Sequence, residues 1–308
     1  MNRARAAAAS IAVVMGLTGI GCSSSSTSGF IVHSTYTALG ASDAVGVGSS
    51  APCTTAGTPP MPSPPSCPGG KSYVVDLTGL LSGPSAQVTL VDLGISGAVI
   101  GPDIQADTAA CFGAPGNIIT SEVPLINASS TLVTVFTGGN DTNAIVQCSA
   151  GNPNPAAFIA AEMAKFGADY ATLIQDIKKA APNAEIVVSN LPNFALIPVG
   201  TMQPAPVQAA LDQVSVGLDM QVINPSAGSS VNAVVDALCT AQSYNVANFS
   251  ADGFHPNDAG YAAFAQLYAN QVQAAKTPPA PAPQSSCPPY SLAAKTSSLP
   301  ASVKLWRY

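Results

Sequence analysis

Between residues 30 and 274 the chain alternates two kinds of segment, and this alternation narrows the available folds more than any other feature. Short runs dense in β-branched and aromatic residues predict strands at Phe30–Leu39, Ala86–Leu93, Thr131–Thr137 and Glu185–Ser189. Helices are expected at Tyr73–Leu81, Pro155–Ala181, Pro206–Asp219, Val231–Ala241 and Asn257–Ala274. The longest of these is the clearest: Phe158, Ile159, Met163, Phe166, Tyr170, Leu173, Ile174 and Ile177 recur at three- and four-residue steps along one face. Strands that alternate with helices pair in parallel, because each return crossing lays a helix on one face of the sheet. The expected fold is therefore α/β: a three-layer α/β/α sandwich around a parallel sheet, of the flavodoxin-like kind.

The ends of the chain have a different character. Arg3 and Arg5 precede an apolar run from Ala6 to Ile20, then Gly21 and Cys22, the order of charges, short apolar core and small residues that marks an export signal. Ser23 to Ser28 follow as a polar tether, so residues 1–22 read as the signal and 23–29 as a spacer before a domain spanning 30–276. Cys22 stands where a bacterial lipoprotein carries its lipid, and both membrane anchoring through Cys22 and simple secretion are open. Residues 51–70 contain seven prolines and read as a surface insertion. Residues 277–308 are rich in Pro, Ala and Ser and form a tail that wraps the surface or stays disordered, with Cys287 as a possible tether.

Export implies an oxidising environment. Of seven cysteines, setting Cys22 aside leaves six: Cys53, Cys67, Cys111, Cys148, Cys239 and Cys287. Cys53 and Cys67 bracket the Pro-rich insertion and are the favoured pair, and closing such a loop stabilises a fold by roughly 3 kcal/mol in the chain-entropy view. Adjacency alone suggests Cys111 with Cys148 and Cys239 with Cys287. Zinc is a poor fit, with no Cys-x-x-Cys and only two histidines. A net charge of −6 with 8% charged residues lacks the basic face that a nucleic-acid partner needs.

Chemistry concentrates in four places. Asp252-Gly253-Phe254-His255 joins a carboxylate to a histidine across a glycine turn, a spacing that lets the carboxylate orient the ring and stabilise its protonated form. Gly40-Ala41-Ser42-Asp43 follows the first strand, where a sharp turn leaves a hydroxyl at the carboxyl edge of the sheet, the usual ligand edge of open α/β folds. Ile95-Ser96-Gly97 and Gly138-Gly139-Asn140-Asp141 follow later strands. Each has a plain structural alternative: Ser42 as a helix cap, Gly97 as a turn glycine, Asn140 as a turn asparagine bonding its own backbone. Asp43 and Asp141 read as caps, and Asp258 as a first-turn residue of the last helix. His33, the other histidine, lies nine residues before Ser42 on the same expected strand, roughly 30 Å away if that strand is continuous.

Taken together, in this order, the four stretches resemble the SGNH (GDSL-type) hydrolase family over residues 34–275. One departure is visible: the family's first motif usually has Asp before the serine, and here Ala41 stands there with Asp43 after it. The resemblance implies Ser42 as nucleophile, His255 as general base and then acid, and Asp252 as the orienting carboxylate. It also implies an oxyanion hole built from the backbone N–H groups of Ser42 and Gly97 and the side-chain amide of Asn140, with no metal or organic cofactor. The expected activity is that of an exported serine esterase or lipase. Its acyl pocket would draw on residues 194–199, where Phe194, Leu196, Ile197 and Val199 are apolar, and on residues 220–230. A carbohydrate O-deacetylase, a thioesterase, and a non-catalytic surface lipoprotein on the same fold are the alternatives.

Overall fold

The computed structural model describes residues 33–53, 67, 69–84, 86–274, 287, 303 and 305. The export signal, Cys22, the Ser-rich tether, most of the Pro-rich insertion and nearly all of the tail lie outside the described residues. Five parallel strands form one sheet in the order β2-β1-β3-β4-β5: β1 (Thr35–Gly40), β2 (Thr89–Asp92), β3 (Leu132–Phe136), β4 (Glu185–Ser189) and β5 (Ala233–Val235). The order reverses at β1, which pairs with β2 on one side and β3 on the other. Such a reversal leaves a crevice beyond the strands' carboxyl ends.

The helices that matter for the site are α1 (Ser42–Val45), α2 (Tyr73–Leu81), α3 (Pro102–Asp107), α4 (Ile118–Ser121), α5 (Gly139–Ser149), α6 (Pro155–Ala180), α7 (Pro198–Thr201), α8 (Ala205–Leu218) and α9 (Asp258–Ala274). Residues alternate across each strand, so β4 sends Ile186 and Val188 into one core and Val187 into the other. The first core packs α3, α5, α6 and α8 against the sheet through Ile104, Ile145, Phe166, Leu173 and Leu211. In the second, α2 and α9 lie against the opposite face, where Tyr73 stacks on Tyr268 at 5.0 Å between ring centres. Both faces of the sheet are covered, which is why its strands read as nearly unbroken apolar runs.

Two of the expected elements shift and a helix is new. The helix expected at Val231–Ala241 is instead β5 followed by loop. Val231, Val234 and Val235 carry weak helix preference, and Asn232 locks the ladder by exchanging bonds with Ile186 through both its N–H (2.9 Å) and its side-chain oxygen (2.8 Å). The second strand is shorter than expected, Thr89–Asp92, because it lies at the sheet edge and pairs only with Thr35–Ala38. A helix not foreseen, α5, begins within the Gly-Gly-Asn-Asp stretch.

The cysteines pair as Cys53–Cys67, Cys111–Cys148 and Cys239–Cys287. The last tethers the tail to the domain, and Val303 and Leu305 pack against the larger core. No helix among the described residues is long and apolar enough to cross a membrane.

Candidate active site

Ser42 lies two residues beyond the end of β1, almost fully buried at 1% exposure. Gly40 is required just before it: a Cβ there would sit 2.7 Å from the carbonyl oxygen of Phe136 on the neighbouring strand. Ala41 then breaks from the strand, and its carbonyl accepts from Ala44 (3.1 Å) and Val45 (3.3 Å) to start α1. Gly46, in the left-handed region at φ 81°, ends that single turn.

His255 comes from the far end of the sequence. Its Nδ1 pairs with Oδ2 of Asp252 at 2.6 Å. The other carboxylate oxygen accepts from the N–H groups of Phe254 (2.8 Å) and His255 (2.9 Å) and from the Ser250 hydroxyl (2.8 Å). Partial burial would raise this carboxyl, but the bonds from the His255 ring and the two N–H groups outweigh it and hold Asp252 well below the usual carboxylate range. Asp252 is therefore ionised and fixed in orientation. The ring is buried at 2% exposure, and its Nε2 makes no hydrogen bond among the described residues.

Two distant stretches of sequence meet through the loop after α1. A Cβ at Gly48 would lie 2.8 Å from the Cβ of His255 and 2.8 Å from the carbonyl of Pro256, so the loop runs directly against the histidine. The N–H and hydroxyl of Ser50 donate to Asp258 at the start of α9 (2.7 and 2.6 Å), and the Tyr261 hydroxyl donates to the carbonyl of Val47 (2.6 Å). Asp43, beside Ser42, feels the charge of His255: burial raises its carboxyl to about 6, with His255 opposing the rise.

Asn140 is the second residue of α5 and is buried. Its side-chain amide donates to the carbonyl of Ala98 at 2.9 Å, which ties it to a loop 42 residues earlier rather than to its own backbone. That bond uses one of the two amide protons, and Asn140 lines the cleft. Gly97 occupies the third position of the turn Ile95–Ala98, closed by Ala98 N–H to Ile95 at 3.0 Å, and its φ of 82° is the positive value that a type II turn demands there. Asp141 accepts from the N–H of Ile100 (3.0 Å), bracing the same loop from below.

Ser42, Asp43, Ala98 and Asn140 line one cleft together with Phe254 and Pro256, which flank His255. Its empty volume is about 840 Å³, counting the open mouth. Phe194 and Ile197 line it, but residues 220–230 do not: Ile223 is buried in the larger core and Asn224 accepts from the Asn190 amide. Their place is taken by α9, which presents Gly260, Ala263, Phe264 and Leu267 at helical spacing, and by Phe136 and Phe249. The sequence reading missed this wall: the apolar stripe of α9 was legible, but not which side of it faces a cavity. Asp43 lines the cleft and is not the cap expected of it, since the N-cap of α1 is Ala41, with no side-chain cap bond. His33 lies at the opposite edge of the sheet, its ring bonded to the carbonyl of Thr131 (3.2 Å) and facing Glu185 (3.5 Å).

These features agree with the comparisons. The model of the GDSL-like Lipase/Acylhydrolase family matches residues 38–263, so the chain belongs to that family. Its architecture is similar to the lipase Lip_vut3 from a goat rumen metagenome, with 15% identity, a TM-score of 0.53, and 78% of this chain and 98% of that one covered. It is also similar to phospholipase A1 from Streptomyces albidoflavus, with 21% identity, a TM-score of 0.52, and 79% and 100% covered. A point variant of Axe2, an acetyl-xylooligosaccharide esterase from Geobacillus, matches with 17% identity, a TM-score of 0.50, and 78% and 95% covered. No curated protein matches the chain. At these identities the structural neighbours establish the fold, and the family match makes the protein an ester hydrolase in the broad sense.

Proposed function

We propose that the protein is an exported serine esterase that cleaves carboxylic esters with an apolar acyl group through a covalent acyl-enzyme. The observation that carries this reading is the buried, unpartnered Nε2 of His255, held by an ionised Asp252 beside the cleft that Ser42 lines. Ser42 Oγ attacks the ester carbonyl carbon while His255 Nε2 takes the hydroxyl proton. The negative oxygen that forms is met by the N–H groups of Ser42 and Gly97 and the amide of Asn140. When the tetrahedral adduct collapses, the C–O bond to the alcohol breaks and His255 returns the proton to the departing oxygen. A water molecule, deprotonated by the same nitrogen, then attacks the acyl-enzyme and frees the acid and the serine.

The apolar walls from Phe136, Phe194, Phe254, Phe264 and Leu267 favour an aliphatic or aryl acyl group. Gln242, Ser243 and Asn248 add polar groups to the same cleft and support a second reading, that of a carbohydrate O-deacetylase. Three disulfides and the leading charged-then-apolar segment support export, with lipid anchoring at Cys22 as one form of it. Hydrolysis of p-nitrophenyl esters of increasing chain length, measured beside acetylated xylan, tests the choice. Activity on butanoate to octanoate esters that is lost in Ser42→Ala is expected; activity confined to the glycan would replace the first reading with the second.

A further inference from the structure

Glu122 is the least expected residue near the site. It ends α4, eighty residues from Ser42 in sequence, and is completely buried with no cation against it among the described residues. Its Oε2 accepts the N–H of Gly40 at 2.9 Å, while Oε1 makes no hydrogen bond among the described residues. A buried carboxyl without a charged partner is costly and is not kept for packing, since an apolar side chain of the same size would fill the space with less penalty. Its position accounts for it. Gly40 is the hinge between β1 and the turn that carries Ser42, and Ala41, the residue between them, has no polar side chain with which to hold that turn.

The carbonyl of the same Gly40 accepts from the N–H of Ile95 at 3.2 Å, and Ile95 opens the turn that carries Gly97. Gly40 is thus gripped on both sides, and the Glu122 carboxyl anchors the point at which the nucleophile turn and the Gly97 turn are joined. We propose that Glu122 is a positioning residue for catalysis: through Gly40 it sets Ser42 relative to the oxyanion donors, supplying from a distant helix the anchor that Ala41 cannot. This rests on the reading of Ser42 as nucleophile. Burial pushes the Glu122 carboxyl well above its ordinary range, opposed by the N–H groups of Gly40 and Ile95 and reinforced by Asp92, and what Gly40 meets is a single acceptor oxygen, Oε2. Glutamine reproduces that group, and methionine matches its length without an acceptor.

The test compares Glu122→Gln with Glu122→Met in the full chain, using p-nitrophenyl butanoate turnover, the rate of labelling by a fluorophosphonate probe, and thermal unfolding. The Gln variant is expected to keep kcat within about threefold, whereas Met is expected to lose about 10²-fold in kcat, the scale of a slight misplacement of reacting groups. KM should stay unchanged, labelling of Ser42 should slow by the same factor, and the unfolding temperature should not fall. A Met variant with full kcat, an equal loss in the Gln variant, or a failure of the Met variant to fold would overturn the proposal, because Glu122 would then serve the fold alone or nothing. Wild-type protein that is not labelled at Ser42 at all would instead remove the nucleophile reading, and this inference with it.

Discussion

At the scale of single residues, position relative to charge decides the roles. Asp252 receives three hydrogen bonds on one oxygen and the histidine on the other, so it has no freedom to rotate and no tendency to protonate near neutrality. Asn140 lines the cleft and its amide also holds the Ala98 carbonyl, so in the proposed mechanism it has a double duty. Asn140→Ala should therefore lower kcat by about 10²–10³, the loss usual for one oxyanion donor. The same change should also lower the unfolding temperature slightly, and steady-state kinetics with thermal unfolding will check both. Gly48→Ala is a sharper case. The new methyl must enter the 2.8 Å approach to His255 from a backbone at φ 92°, so activity should fall at least tenfold, with a loss of stability of about 1–3 kcal/mol. Turnover and denaturant unfolding measure the two effects separately.

At the scale of elements, the cleft is an agreement between the carboxyl ends of β1 and β3 and the stripe of α9. Ala263 is a small residue of that stripe, between Gly260 and Leu267. Ala263→Phe should fill the space beside Phe264 and shift preference toward shorter acyl chains, lowering kcat/KM for octanoate about tenfold or more while acetate is barely affected. A chain-length series of p-nitrophenyl esters will show it. Much of this layer was legible in the sequence. The period of α6, the valine-rich β4 and the boundaries of α2 follow from residue pattern alone. The segment after Val231 was not legible as a strand, because its identity depends on Asn232 reaching Ile186, a contact between residues 46 apart. The start of α5 was hidden for a related reason: Gly-Gly-Asn-Asp has poor helix propensity, and the helix is held by burial of Ala144, Ile145 and Val146. Ser42, Gly97, Asn140, Asp252 and His255 stood out because turn glycines and rare histidines mark such loops. Glu122 carried no mark, since nothing around it in sequence announces burial.

At the scale of the molecule, the domain holds several carboxyls that form no ion pair among the described residues. Burial raises Asp92 and Asp141 to about 7 and Asp43 to about 6, with bonds from Gly94 and Ile100 only partly opposing the first two. In the unfolded chain such groups ionise near pH 4. Between that pH and about 7 the folded state therefore binds more protons than the unfolded one, and stability falls as pH rises. The contribution is fully present below pH 4 and is lost by about pH 8. Asp252 runs the other way, with its stabilisation present above pH 4 and lost in stronger acid. The unfolding temperature should thus peak near pH 4 and drop by on the order of 5 °C by pH 8, as calorimetry across that range will show.

The central claim is that a hydroxyl from just past the first strand works with an imidazole from the loop before the last helix. The most direct measurement treats the intact protein with a fluorophosphonate probe and locates the adduct by mass spectrometry. The account predicts a single adduct on Ser42, formed far more slowly in His255→Ala. An adduct on another residue, or a Ser42 that reacts equally well without the histidine, would contradict it.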